Sequence, residues 1–337
     1  MRRVVASLTI ACSIVFSSPS AWSEPAVEVN LAKSKVTPTA VEAARARVTT
    51  AAKMSRLPAN VEPSLQSLAG QFGYRQIGYV MGLTCSPYSK TSLVTNPQPC
   101  WLGDSKGTRT IVLYGDSHAG SWIPAMDEYA RSIRARLAVF WFPGCPTPSV
   151  VASASGPFYS SRAADCNTWS ARVIGAIGAV NPFAVVMASG YGVTHSFTAP
   201  EYQKWMNGWT LLGNQLRTKL PRVALYNLAT TPYLRQSAPL CLSAQPNNIG
   251  NCGFTSLSST GVGYGLNLGD NRLRDLAASR AAGAVFIDVV QLFCTANFCP
   301  AVIDGTIVYG DDHHITTAIN LDLAPALGEL LASAGLK

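Results

Sequence analysis

Two widely separated stretches hold the residue types that nucleophilic catalysis requires. In the first, "TIVLYGDSHAGSW" (110–122), a run of strong strand formers, Ile111 to Tyr114, ends on Gly115-Asp116-Ser117-His118. A serine just past a strand and just before a helix can turn both its hydroxyl and its backbone N–H into a crevice. The helix N-terminus adds partial positive charge suited to an oxyanion. The competing expectation is an ordinary helix start in which Asp116 or Ser117 only caps the helix.

A serine nucleophile needs a base, and the chain has four histidines. His118 adjoins the serine, so its ring is expected to point elsewhere, in a packing or hydrogen-bonding role. His195, in "GYGVTHS", has no carboxylate beside it and reads as a loop histidine near the pocket. The second stretch, "VYGDDHHITTAINLDLAPAL", sets Asp311 three residues before His314 in a loop that enters a final amphipathic helix. That spacing lets the carboxylate accept the Nδ1 proton and leaves Nε2 free for the serine proton. Asp312 and His313 are alternative partners, although these two neighbours are expected to be too constrained to bond readily to each other.

The elements that must position these residues follow an alternating pattern from residue 108 onward. Strands are predicted at 110–115, 137–142, 183–189, 222–228 and 284–289, and helices at 121–134, 165–179, 200–218 and 269–281. Near-continuous apolar strands imply a mostly parallel sheet covered on both faces, a three-layer α/β/α sandwich. In such a sheet ligands bind at the carboxyl ends of the strands, where Ser117 falls. The glycine-rich run 261–269 does not follow a strand in a βαβ setting and reads as a loop rather than a nucleotide cradle.

Of the 337 residues, 48% are hydrophobic and 13% charged, which excludes extensive disorder. The formal charge is +8, but no basic cluster or nucleic-acid motif accompanies it, so no nucleic-acid partner is expected. Residues 1–23 have a signal peptide's layout: Arg2 and Arg3, an apolar core over 4–16, and Ala21-Trp22-Ser23 for cleavage. Residues 24–80 read as a loosely attached helical arm or spacer, and 81–337 as the catalytic domain. The chain is therefore expected to be secreted or extracytoplasmic, in the cell envelope, and soluble after cleavage.

Cys12 lies in the leader and leaves eight cysteines in an oxidising compartment. Connectivity is open among 105 pairings. Short loops favour Cys85–Cys100, Cys145–Cys166, Cys241–Cys252 and Cys294–Cys299. No C-x-x-C pair or matching histidine spacing supports zinc, and neither metal nor cofactor is expected.

"GDSH" near the first predicted strand together with "DDHH" near the C-terminus resembles the SGNH (GDSL-like) hydrolase superfamily. "VLYGDSHAGSWIPAM" and the 308–327 block are most similar to SGNH domains fused to, or partnered with, bacterial acyltransferase family 3 membrane proteins. "APLCLSAQPNNIGNC" and "VVQLFCTANFCP" look like cysteine-bearing segments of that group, and the resemblance spans roughly residues 80–337. It implies Ser117 as nucleophile, His314 as general base and Asp311 as its orienter, with Ser117 N–H one oxyanion donor. Gly144 in "FPGCP" is the candidate for the superfamily's glycine donor. Its asparagine has no counterpart in "MASGYGVTH", so either Gly190 or Gly192 N–H substitutes or the acyl donor is activated.

The implied function is O-acyl transfer or acyl-ester hydrolysis on a cell-envelope or secreted glycan, through an ester on Ser117. The acyl group would come from an acylated substrate or from a membrane acyltransferase family 3 protein acting in trans. The alternatives are a non-catalytic protein of the same fold that binds glycan or a partner, and a secreted short-chain esterase or lipase.

Overall fold

The computed structural model describes residues 37–68, 86–87, 90–190, 197–234, 236–255 and 268–337. The segment expected to be a signal peptide, Cys85, Gly192, His195 and most of the glycine-rich run lie outside them. Six strands make the main sheet: β1 (Cys100–Gly103), β2 (Arg109–Gly115), β3 (Ala135–Trp141), β4 (Ala184–Ala188), β5 (Ala224–Leu228) and β6 (Val285–Ile287), in the order β1-β3-β2-β4-β5-β6. Strands β2 to β6 run parallel, and β1 is antiparallel to β3 at the edge.

The apolar strands alternate between two cores, as the period-two geometry of a strand requires. Ile111 and Leu113 of β2 and Val186 of β4 face one core, while Val112, Tyr114 and Val185 face the other. Helix α1 (Ala40–Ala51), the short α2 (Ser117–Ser121) and α3 (Ile123–Ser132) lie on the first side. Helices α4 (Ala163–Val180), α5 (Ala199–Lys219) and, beyond the short α6 (Ala238–Ala244), α7 (Leu268–Ala282) cover the second. Helices α8 (Thr317–Asp322) and α9 (Ala324–Ser333) return to the first side. The three expected layers are present. Among the described residues no helix is long and apolar enough to cross a membrane.

Three features differ from the expectations. The helix expected over 121–134 is two helices meeting at Trp122, which ends α2 and starts α3 just before Pro124; a proline has no N–H to give a continuous helix. Residues 40–51 are not a loose arm. Ala44, Val48 and Ala51, spaced four and three apart, form a buried stripe in the first core. Arg47 adds ion pairs to Asp304 at 2.6 Å and to Asp322. The antiparallel edge strand β1 was not foreseen in a four-residue segment whose pattern, Cys-Trp-Leu-Gly, is that of no regular alternation.

Cys145–Cys166, Cys241–Cys252 and Cys294–Cys299 are bonded as the short loops favoured. Cys100 is also disulfide-bonded, although Cys85 falls outside the described residues. Each bridge contributes about 2–4 kcal/mol by restricting the unfolded chain. Cys145–Cys166 bears most directly on the site, because it fastens the loop after β3 to the first turn of α4.

Candidate active site

The chain leaves β2 for β3 on one side and later adds β4 on the other, so the strand order reverses direction around β2. A crevice opens at the carboxyl end of a strand where this happens. Asp116 and Ser117 occupy that point. The capping expectation is met by Asp116, which accepts from His118 N at 2.8 Å and leaves Ser117 at the first helical position of α2. The other Asp116 oxygen accepts from Ser189 Oγ at 3.0 Å and Gly190 N at 2.9 Å, tying the end of β2 to the end of β4.

The loop before α8 brings the other two groups. His314 Nε2 lies 2.8 Å from Ser117 Oγ, and His314 Nδ1 lies 2.7 Å from Asp311 Oδ2. Asp311 Oδ1 accepts from the backbone N–H of both His313 (2.8 Å) and His314 (2.7 Å), so one carboxylate shapes the loop and orients the ring. Ser117, His314 and Asp311, singled out in the sequence from two distant stretches, thus form one hydrogen-bonded line.

Electrostatics suit a neutral imidazole in this position. Burial, with the charge of His313, lowers the pKa of His314 below the ordinary histidine value, against the pull of Asp311. Burial works to raise the Asp311 carboxyl, but its hydrogen bond to His314 and the charges of His314 and His313 outweigh this and hold it well below its usual range. At neutral pH the pair is therefore a carboxylate and an uncharged ring. The Nδ1 proton faces Asp311, and the Nε2 lone pair is available to the serine hydroxyl.

His313 departs from expectation. Its Nδ1 sits 2.5 Å from Asp312 Oδ1, the adjacent pair judged too constrained to bond. The tight turn that Asp311 imposes on the backbone at 313 and 314 lets the neighbouring side chains lie side by side. Burial opposes charge on His313, but the Asp312 hydrogen bond and the charges of Asp311, Asp312 and Asp116 raise its pKa.

His118 plays the packing and hydrogen-bonding part expected of it. Its ring is buried, with Nδ1 3.1 Å from Thr231 Oγ1 and Nε2 3.1 Å from Tyr233 Oη. Thr231 and Tyr233 were not anticipated, although they follow the carboxyl end of β5, the edge on which ligands are expected.

Ser117 opens on a cavity of about 230 Å³ whose wall includes Gly144, Tyr159, Ser160, Ser161 and His313. The backbone N–H groups of Ser117 and Gly144 have no hydrogen-bond partner among the described residues. Gly144 has φ of +72°, a conformation that favours glycine even though the space around it is open. Gly190 lines the cavity, but its N–H is held by Asp116, so its nomination as an oxyanion donor is corrected. It is glycine for another reason: a Cβ there would come within 2.0 Å of the His118 ring.

His118, His313 and His314 place possible ligand atoms within 4.8 Å of one another, as do Asp311, Asp312 and His313. Both ring nitrogens of His118 and of His314 are already within hydrogen-bond reach of protein groups. The donor set reads as a hydrogen-bonded site rather than an open metal shell.

No curated protein matches the sequence. In fold, the chain is similar to the periplasmic domain of a lipopolysaccharide acetyltransferase from Salmonella ser. Paratyphi A, at 14% identity and a TM-score of 0.57. That match covers 82% of this chain and 98% of the other. More distant is Est24, a carbohydrate acetylesterase from Sinorhizobium meliloti, at 14% identity and a TM-score of 0.42, covering 67% of this chain and all of the other. The M. smegmatis aryl esterase matches at 14% identity and a TM-score of 0.41, over 67% of this chain and 99% of the other. The sequence itself matches the model of the SGNH domain fused to AT3 domains over residues 84–329, from just before β1 into α9. With most of its length accounted for in this way, the chain belongs to that SGNH domain family.

Proposed function

We propose that this protein is an exported SGNH enzyme that moves a short acyl group on a cell-envelope or secreted glycan through an ester on Ser117. The observation that carries the reading is the line Ser117 Oγ–His314 Nε2–Asp311, at 2.8 and 2.7 Å, beside two backbone N–H groups that have no partner among the described residues. The similarity in fold to a lipopolysaccharide acetyltransferase domain agrees with a glycan as substrate and with an extracytoplasmic place of action.

His314 Nε2 takes the Ser117 hydroxyl proton as Oγ attacks the acyl carbonyl carbon. The carbonyl oxygen becomes an oxyanion, which this reading assigns to the N–H groups of Ser117 and Gly144 on the cavity wall. Collapse breaks the bond between the acyl carbon and the donor oxygen, which leaves with the proton from His314. A sugar hydroxyl then gives its proton to His314 and attacks the ester; Ser117 leaves and regains that proton. Water in the sugar's place gives hydrolysis. Asp311 keeps the Nδ1 proton in place and favours the imidazolium of each step without taking the proton itself.

The cavity, about 230 Å³ and lined by Ser117, has room for a short acyl group. An acyltransferase family 3 membrane protein acting in trans is the donor this reading assigns, in keeping with the domains to which the family is fused. The test compares the mature chain with Ser117→Ala on p-nitrophenyl acetate and on an O-acetylated polysaccharide. The account expects loss of turnover on both in the variant; equal rates would remove Ser117 as nucleophile.

A further inference from the structure

His118 is a buried titratable group that the proton transfers above do not use. Its ring is 3% exposed and lies among Tyr233, His313 and His314, with ring centroids 5.6, 5.6 and 5.2 Å away. From its two nitrogens, hydrogen bonds run in both directions. On one side Nδ1 meets Thr231 Oγ1 at 3.1 Å, and Thr231 Oγ1 lies 3.2 Å from the His313 carbonyl. On the other, Nε2 meets Tyr233 Oη at 3.1 Å, and Tyr233 Oη lies 3.1 Å from the Gly190 carbonyl. Four segments that are distant in sequence meet on this one ring: the Ser117 turn, the end of β4, the loop after β5 and the loop bearing His314.

We propose that His118 is a positioning residue that, through Thr231 and Tyr233, holds the His314 loop in register with Ser117. This rests on the reading of Ser117 and His314 as nucleophile and base. The His313 carbonyl that the Thr231 arm reaches belongs to the residue directly before His314, so a shift there is passed to the base. The absence of a Cβ at Gly190 is what gives the ring its place.

A neutral ring closes one of these arms in full and one contact of the other. With a neutral ring, the Tyr233 hydroxyl, one imidazole N–H and the Thr231 hydroxyl supply three protons for four contacts. A charged ring would supply the fourth. Burial, together with the charges of His314 and His313, opposes that charge despite Asp311, and keeps the His118 pKa well below 6.5.

The experiment uses the mature chain with His118→Phe, His118→Asn, Thr231→Val and Ser117→Ala. It measures kcat and KM for p-nitrophenyl acetate over roughly pH 5 to 9, together with thermal melting. A displacement of about 1 Å costs on the order of 100-fold, so His118→Phe is expected to lose about that in kcat with KM nearly unchanged. His118→Asn, whose amide stands close to where Nδ1 stood, is expected to recover most of the loss and to keep the wild-type acid limb. Wild-type kcat in His118→Phe, beside an inactive Ser117→Ala, overturns the proposal. Loss of the acid limb in His118→Asn also overturns it, because the ring would then be titrating as a base. If His118→Phe does not fold, Thr231→Val decides: it removes only the hydroxyl, and an unchanged kcat overturns the proposal. Full activity in Ser117→Ala would instead overturn the underlying functional reading, so the two failures are told apart.

Discussion

Replacing Asp311 by asparagine should be far more damaging than the loss of one charge implies, and the geometry says why. Asp311 Oδ1 receives two backbone N–H groups and Oδ2 faces His314 Nδ1. An asparagine has one oxygen and one NH₂ to put in those two places. If the oxygen stays with the two backbone donors, the NH₂ faces Nδ1 and donates to it. The ring proton must then sit on Nε2, against Ser117, where no lone pair remains to take the serine proton. The flipped amide would restore the tautomer, but it sets NH₂ against two N–H donors. Each buried donor left unpaired costs about 1–3 kcal/mol, so the first arrangement dominates. We predict a fall in kcat of about 10³–10⁴-fold with little change in KM, equivalent to about 4–5 kcal/mol of barrier. Steady-state kinetics with p-nitrophenyl acetate and the rate of Ser117 labelling by a fluorophosphonate should fall together. A kcat within tenfold of wild type, in a folded variant, would refute the tautomer argument.

Other perturbations read other parts of the account. In His313→Gln a positive charge that opposes protonation of His314 is gone, so the His314 pKa rises and the acid limb of kcat/KM moves to higher pH; a limb that stays put or moves down contradicts this. Gly144→Ala strains a backbone at φ +72° and displaces the proposed oxyanion donor, with an expected kcat loss on the order of 10²–10³ and a small KM change. Cys145→Ser with Cys166→Ser should lower stability by about 2–4 kcal/mol in chemical denaturation. Val48→Asp places an unpaired carboxylate in the first core and should lower stability by several kcal/mol, whereas a loosely attached α1 would leave the melting temperature unchanged.

The strands and the two reactive stretches were legible in the sequence because their signals are local. Val112 and Tyr114 beside Ile111 and Leu113 announce a strand buried on both faces, and the Asp311–His314 spacing lies within one loop. What was not legible depends on where distant segments meet. The Gly190 N–H looked available in sequence, yet Asp116, 74 positions away, takes it. The partners of Arg47 on α1, Asp304 and Asp322, are each more than 250 positions away. Thr231 and Tyr233 gain meaning only from the ring of His118 between them. The His313–Asp312 bond was misjudged because the turn that permits it is made by the Asp311 carboxylate, a tertiary detail with no sequence period.

The claim on which everything else rests is that Ser117 carries the acyl group. Its most direct test is mass spectrometry of the mature protein after brief incubation with candidate acyl donors, with digestion to locate any added mass. The account predicts one acyl group, on the peptide containing Ser117, short-lived in the wild type and absent from Ser117→Ala. It further predicts that the ester persists longer in His314→Gln than in wild type wherever it forms, because deacylation has lost its base. Turnover of an acylated glycan with no ester on Ser117, or with the mass on another residue, would contradict the account.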